Sequence, residues 1–193
     1  MNKMEGIMHK KFGDAKNPLL VSVRSGAKES MPGMMETVLN VGLTGNTVEG
    51  LAESSLNPRF AYDSYRRLIM MYADVVMEKS RNVQVENNMG IRHKLEKYMD
   101  DYKNNSGYSK DLDLNADDLK TLCDEFKDII KKTLNMDFPD DADVQLLSAI
   151  KAVFHSWNGE RAQSYRKIEN ISDRAGTAVN IQSMVFGNMG AGS

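Results

Sequence analysis

The residues best suited to chemistry lie in one stretch, SVRSGAKESMPGMMETVLN, Ser22 to Asn40. Arg24 ends an apolar run, and Gly26, Lys28, Ser30 and Gly33 follow in quick succession. A plain hairpin connection takes about two to five residues, whereas this one runs to about nine by its composition. Small residues let backbone N–H groups approach a bound anion and point at it. Arg24 adds a fixed, delocalised charge whose fork suits phosphate oxygens. Lys28 adds a mobile ammonium and Ser30 a hydroxyl, and Pro32-Gly33 sets a tight turn. The pattern describes an anion cradle. The competing reading is a surface loop whose arginine and lysine are merely solvated. Neither G-x-x-x-x-G-K-[ST] nor G-x-G-x-x-G occurs, so mechanism rather than motif supports the cradle.

Other candidates are weaker. Arg66 and Arg67 interrupt an apolar helical pattern. Consecutive helical residues project about 100° apart, so at most one can face the core edge, and two snorkelling surface arginines is the plainer reading. His9, His93 and His155 are far apart and share no metal-ligand spacing. The acidic run Asp137 to Asp143 reads as a helix start with dipole-favoured carboxylates, not as a calcium loop. Met34 and Met35 read as packing residues. Cys123, the only cysteine, falls among apolar helix positions and reads as a small buried hydrophobe.

These residues need elements to position them. Met4, Ile7, Met8 and Phe12 fall at helical spacing before Gly13. NPLLVSVR alternates as a strand does, and TVLNVGL is β-rich again. Asn46 with Glu49 predicts a capped helix over 47–55, and Asn57-Pro58 opens a longer one with Phe60, Ala61, Tyr65, Leu68, Ile69, Tyr72 and Val76 on one side. A lysine-rich helix follows in NNMGIRHKLEKYMDDYKNNSG. Asn115 caps the next, striped by Leu119, Leu122, Phe126, Ile129 and Ile130. Asp140 or Asp141 starts another, whose apolar side is read as Val144, Leu147, Ile150, Phe154 and Trp157, with Trp157 buried. Asn158-Gly159 breaks it before a short helix over 160–168. GTAVNIQSMVFGN returns to strand. The expected class is α+β, with 1–45 holding strands and the loop, 46–170 a helical subdomain with its own core, and 171–193 the start of a further β subdomain. The terminal β pieces are too short for a satisfactory sheet alone, which suggests a piece of something larger.

Bulk properties narrow the class. The chain has 193 residues, 41% hydrophobic and 27% charged, enough for a folded core. Its 25 basic and 27 acidic residues leave a net charge of −2, which gives no footprint for nucleic acid or an anionic membrane. No apolar run approaches the roughly 20 residues of a membrane span, and residues 1–11 hold no signal-peptide core. A soluble, cytoplasmic protein is expected.

Four blocks carry a resemblance: NPLLVSVRSGAKESMPGMMETVLNVGL, NPRFAYDSYRRLIMMYADVVM, FP…QLLSAIKAVFHSWN…RAQSYR and GTAVNIQSMVFGNMG. In order and spacing they resemble the ATP-binding domain of the pyruvate, phosphate dikinase family, over nearly the whole chain and least at 80–135. The resemblance implies a partial ATP-grasp-type nucleotide-binding domain. It also implies an enzyme that interconverts ATP, phosphate and pyruvate with AMP, pyrophosphate and phosphoenolpyruvate. In that enzyme a phosphoryl group passes to a histidine on a swivelling domain, magnesium accompanies the nucleotide, and the whole is a homodimer.

On this resemblance Arg24 matches the family's phosphate-binding arginine, and Gly26 to Met34, with Gly26, Lys28, Ser30 and Gly33, matches the mobile loop that closes over the phosphates. Arg67 matches an arginine reaching toward the same site. Ile181 to Val185 matches the strand beside the adenine, with Gln182 and Met184 as the contacts. Glu36 departs from the family's common aspartate, and Lys28 and Glu29 fall at variable positions. The magnesium carboxylates, the acceptor histidine, the pyruvate barrel and the front lysine of the ATP site are expected outside these 193 residues, which leaves the fragment inactive alone. Two alternatives remain: the related phosphoenolpyruvate synthase, against which SMPGMM argues, and a non-catalytic helical interaction module.

Overall fold

Strand β3, Val21–Ser25, forms the centre of a three-stranded antiparallel sheet in the order β4-β3-β5, with β4 spanning Thr37–Val41 and β5 Val179–Ser183. The two β segments from opposite ends of the sequence thus meet. A computed structural model describes residues 1–81 and 90–187. The first residues of the expected lysine-rich helix, 87–89, and the closing MGAGS lie outside the described residues. The architecture is α+β, as expected.

Register fixes the two faces of the sheet. Val23 faces Val38 on one side and Ile181 on the other, while Arg24 faces Thr37 and Asn180, and Ser22 faces Gln182. Side chains alternate across a strand. Val21, Val23, Val38 and Ile181 therefore pack inward, and Ser22, Arg24, Asn180 and Gln182 share the opposite face.

Helix α1, Asn2–Met8, ends earlier than its apolar spacing suggested. Phe12 belongs instead to β1, Lys11–Phe12, which pairs in parallel with β2, Pro18–Leu19. His9 in the left-handed conformation stops the helix. Helix α2, Gly45–Ser55, also begins two residues before the expected start. Its N-cap is Thr44 rather than Asn46, because Thr44 and Thr47 bond each other's backbone N–H. A distant carboxylate helps, since Gly45 N–H donates to Asp140 at 2.7 Å.

The cap of α3, Pro58–Tyr72, is as expected: Asn57 accepts from Phe60 N–H, with proline first in the helix. The helix continues as a π segment, Ala73–Glu78, and a 3-10 turn, Lys79–Arg81. The buried Glu78 then accepts from Ile91 N–H at 2.6 Å, which starts α4, Ile91–Asn105. Asn115 caps α5, Ala116–Leu134, Asp141 caps α6, Ala142–Ser156, and α7 spans Glu160–Ile168.

Helix α6 buries a different face from the one its sequence suggested. Val144, Leu147 and Phe154 are 49%, 60% and 48% exposed. The face turned to β3 and β4 holds Gln145, Leu146, Ala149, Ala152 and Val153. Two alanines let the helix lie close to the sheet. Gln145 tolerates full burial because its amide donates to the carbonyls of Leu43 and Pro139 and accepts from Gly42 N–H. Apolar contacts also cross residue 46: Leu19, Val21, Val38 and Leu43 pack in one cluster with Tyr65, Leu68, Phe126 and Val153, so the helices do not enclose a core of their own. Trp157 is buried, as expected, but in a second, small cluster. Cys123 is buried too, and burial pushes its thiol up to about 12, which leaves it inert.

Of the two adjacent arginines, Arg66 is buried and Arg67 exposed. Asp63 bonds both, at 2.6 Å and 2.8 Å. Burial pushes the Asp63 carboxyl up, but the hydrogen bonds and charges of the two guanidinium groups outweigh it and hold the pKa below the ordinary value. The stabilisation is therefore present above the ordinary carboxylate pKa of about 3.8 and is lost as pH falls through the lower folded value. Asp63→Asn should lower stability near pH 7 by about 1–3 kcal/mol, since it removes the partner of a buried charge. Urea unfolding of both proteins should show the gap narrowing as pH drops below that of ordinary carboxylates, and a gap independent of pH would rule out the carboxylate charge as its source.

Candidate functional site

The polar face of the sheet and the loop after β3 together enclose a hollow of about 540 Å³. Arg24, Gly26, Lys28, Ser30 and Gly33 all line it, together with Asn180 from β5 and Thr37 from β4. Arg24 is exposed at the strand end, and its guanidinium donates to the Gln182 side chain at 3.1 Å. Among the described residues that is the guanidinium's one hydrogen bond; it orients the fork, whose remaining N–H groups could donate to a ligand. Gln182 thus touches the site through Arg24.

The loop is folded rather than open. Gly26 N–H donates to Ala178 O at 2.8 Å, which extends the pairing with the chain before β5. Met34 N–H donates to Met31 O at 3.2 Å, with Pro32 and Gly33 between them. Gly33 has φ +72°, and proline followed by a residue of positive φ is what a type II turn requires. Gly26 is needed for a different reason. A Cβ there would stand 2.8 Å from the Asn180 side-chain nitrogen, so the absent side chain is what admits the Asn180 amide to the edge of the hollow.

Two expected residues are not brought here. Arg67 lines another hollow, with Leu39, Asn40, Met70 and Arg92, because its guanidinium is tied back to Asp63 one helical turn earlier. Met184 donates its N–H to Leu20 O and packs on the main core. Asn180 was missed, though the alternation of Val179, Asn180, Ile181 and Gln182 carries the signal: the polar pair must share a face. Among the described residues no three His, Cys, Asp or Glu side chains cluster as a metal site. Among the described residues that line the hollow, Glu29 is the only carboxylate, so these residues do not fit a metal and we assign no magnesium ligand to them.

The model of the family described as pyruvate phosphate dikinase, AMP/ATP-binding domain, matches residues 1–193. The chain belongs to this family. Its α+β architecture is accordingly a partial nucleotide-binding domain of the ATP-grasp type. Similar relatives include two named pyruvate, phosphate dikinase: one from Clostridium symbiosum, 51% identical over 97% of this chain and 20% of its own length, and one from Rhizobium meliloti (strain 1021), 45% identical over 100% and 20%. A third, chloroplastic, from Arabidopsis thaliana, is 49% identical over 93% of the chain and 17% of its own length. The chain thus spans about a fifth of the length of these dikinases. Among the described residues no helix is long and apolar enough to cross a membrane.

Gly26→Ala tests the close approach. The Asn180 amide is the end of a flexible side chain and can move away, so stability should change by less than about 0.5 kcal/mol. The Asn180 side-chain amide resonances should shift clearly. If they stay in place, the contact is not what keeps residue 26 a glycine.

Proposed function

We propose that this chain is the part of a pyruvate, phosphate dikinase that grips the phosphates of ATP. The observation that carries the reading is the shared hollow, in which an exposed arginine, oriented by Gln182, stands opposite a folded loop of small residues with Lys28 and Ser30. Phosphoryl transfer asks a protein chiefly for positioning and for charge placed where phosphate oxygens will be. Arg24 supplies the fixed fork, Lys28 the mobile charge, Ser30 and the loop N–H of Gly33 the neutral donors, and Asn180 a further amide. The nucleotide lies with its phosphates in the hollow and the remainder toward the Gln182 side of β5.

In the longer enzyme the reaction interconverts ATP, phosphate and pyruvate with AMP, pyrophosphate and phosphoenolpyruvate through a phosphohistidine on a swivelling domain. Magnesium accompanies the nucleotide, and the whole enzyme is a homodimer. These steps, the assembly and the cytoplasmic setting rest on the relatives' shared name and on the resemblance of the four blocks, although the Arabidopsis relative is named chloroplastic. The relatives' names favour dikinase over phosphoenolpyruvate synthase. Since the chain spans about a fifth of those proteins, it binds nucleotide alone without turning it over. A second reading, a helical docking module, draws support from the exposed apolar stripe of α6, and it requires no anion in the hollow.

Calorimetric titration of this chain with sodium pyrophosphate and with ATP separates the two. Saturable binding is expected, and Arg24→Ala should weaken it about 10- to 100-fold, the worth of a hydrogen bond to a charged group, roughly 1.5–3 kcal/mol. The circular dichroism spectrum should not change. Equal binding by Arg24→Ala and the unaltered chain would remove the role assigned to the arginine, and no binding by either would favour the docking module.

A further inference from the structure

Met31 is the one residue between Lys28 and Gly33 that is buried, while Lys28, Glu29, Ser30, Pro32 and Gly33 are exposed. Its side chain, 8% exposed, packs on Trp157 and Ala162 at the corner between α6 and α7. That corner is built to stay fixed. Arg166, itself buried, lies 4.1 Å over the Trp157 ring, donates to Trp157 O at 2.5 Å and bonds Asp173 at 2.7 Å. The Trp157 ring N–H donates to Asp173 O at 3.3 Å. The chain beyond the loop is fastened to the same corner, since Glu36 N–H donates to the Ser156 hydroxyl at 3.2 Å and the Glu36 carboxylate accepts from Arg161 at 2.8 Å.

We propose that Met31 is a positioning residue: seated on Trp157, it sets where Lys28, Ser30 and the loop N–H groups stand relative to the Arg24 guanidinium. The inference rests on the polyphosphate reading of the hollow and adds to it a specific support in the helical region. The hollow has two walls. Arg24 and Asn180 are held by strand pairing and cannot shift independently. The loop wall hangs between Gly26, bonded to Ala178, and Met31, held by apolar contact. An unbranched thioether fills an irregular seat well, and losing it frees the loop without touching any anion-binding group. Trp157 is the only tryptophan, so its emission reports directly on this seat.

Two measurements on this chain decide the matter, each with Met31→Ala and the conservative Met31→Leu. Without ligand, trypsin cleavage after Lys28 should be at least tenfold faster in Met31→Ala and close to the unaltered rate in Met31→Leu, at matched thermal midpoints. With sodium pyrophosphate, the unaltered chain should show a saturable change in Trp157 emission. In Met31→Ala this change should vanish and the Kd from calorimetric titration rise at least fivefold, and Met31→Leu should restore both. Unchanged cleavage would show that Met31 does not hold the loop. Faster cleavage with an unchanged Kd would show that it holds the loop without positioning the site. If the unaltered chain binds no pyrophosphate, the polyphosphate reading fails and the positioning role falls with it, while the cleavage rates still tell whether the anchor exists.

Discussion

The pairing of β5 with β3 is the contact on which the rest of the structure depends. Only when residues 179–183 return to lie beside 21–25 does β3 gain a second neighbour, and only then do Asn180 and Gln182 stand next to Arg24. The pairing spans more than 150 residues of sequence, and ordering a closed loop of that size carries an entropic cost that grows slowly with length. The helices between offset it by burying their apolar faces against one another and against the inner face of the sheet. The helical region therefore does more than fill space, since its folding brings the two walls of the hollow together.

Buried or distant polar groups fix the joints. Asp140 takes the N–H of Gly45 and also the Tyr65 hydroxyl, at 3.3 Å, tying the start of one helix to the body of another. Glu78 takes the first N–H of α4, and Gln145 satisfies three backbone groups around the Gly42 turn and Pro139. A helix end has backbone groups that the helix itself cannot satisfy. Here side chains from far away in sequence supply several of them, so the packing angle of one element fixes the end of another.

This explains what the sequence could and could not tell. Local signals held at several helix starts: Asn57 before Pro58, Asn115 before its striped helix, Asp141 within the acidic run, and Asn158-Gly159 before α7; at α2 they misled, because Thr44 with Thr47, two residues earlier than Asn46 with Glu49, offers the same reciprocal cap. Alternation in VSVR and VNIQS marked strands, and with them the polar face that carries Arg24 and Gln182. The other errors, apart from the early stop of α1 at His9, lie where the partner is remote. Helix α6 carries two apolar stripes, and periodicity cannot say which one meets the sheet. The stripe with alanines won because close approach needs small residues, and the bulkier one stayed in solvent. Arg66 could not be told from Arg67 until the positions of Asp63, Met70 and Met99 around it were known. Asn180 could not be placed beside Gly26 before β5 was paired in register.

The two walls of the hollow also differ in how they are held, and this suits the phosphate binding proposed for it. A group that must meet a phosphate with defined geometry belongs on a strand, where backbone pairing on both sides fixes the Cα, and an arginine is suited to that place because its planar fork keeps its orientation. Groups that must let the anion enter and leave belong on a segment with fewer ties. The loop has few: one backbone bond at Gly26, one turn at Pro32-Gly33, and one buried side chain, Met31, with Ala27, Met34 and Met35 half-buried against the same cluster. Apolar contact is non-directional, so the Met31 seat can tolerate a small sliding of the loop that a hydrogen bond at the same point would resist. The same chain thus holds Arg24 rigidly through its strands and the loop more loosely through Trp157, and both supports are set by the helices packed between the strands.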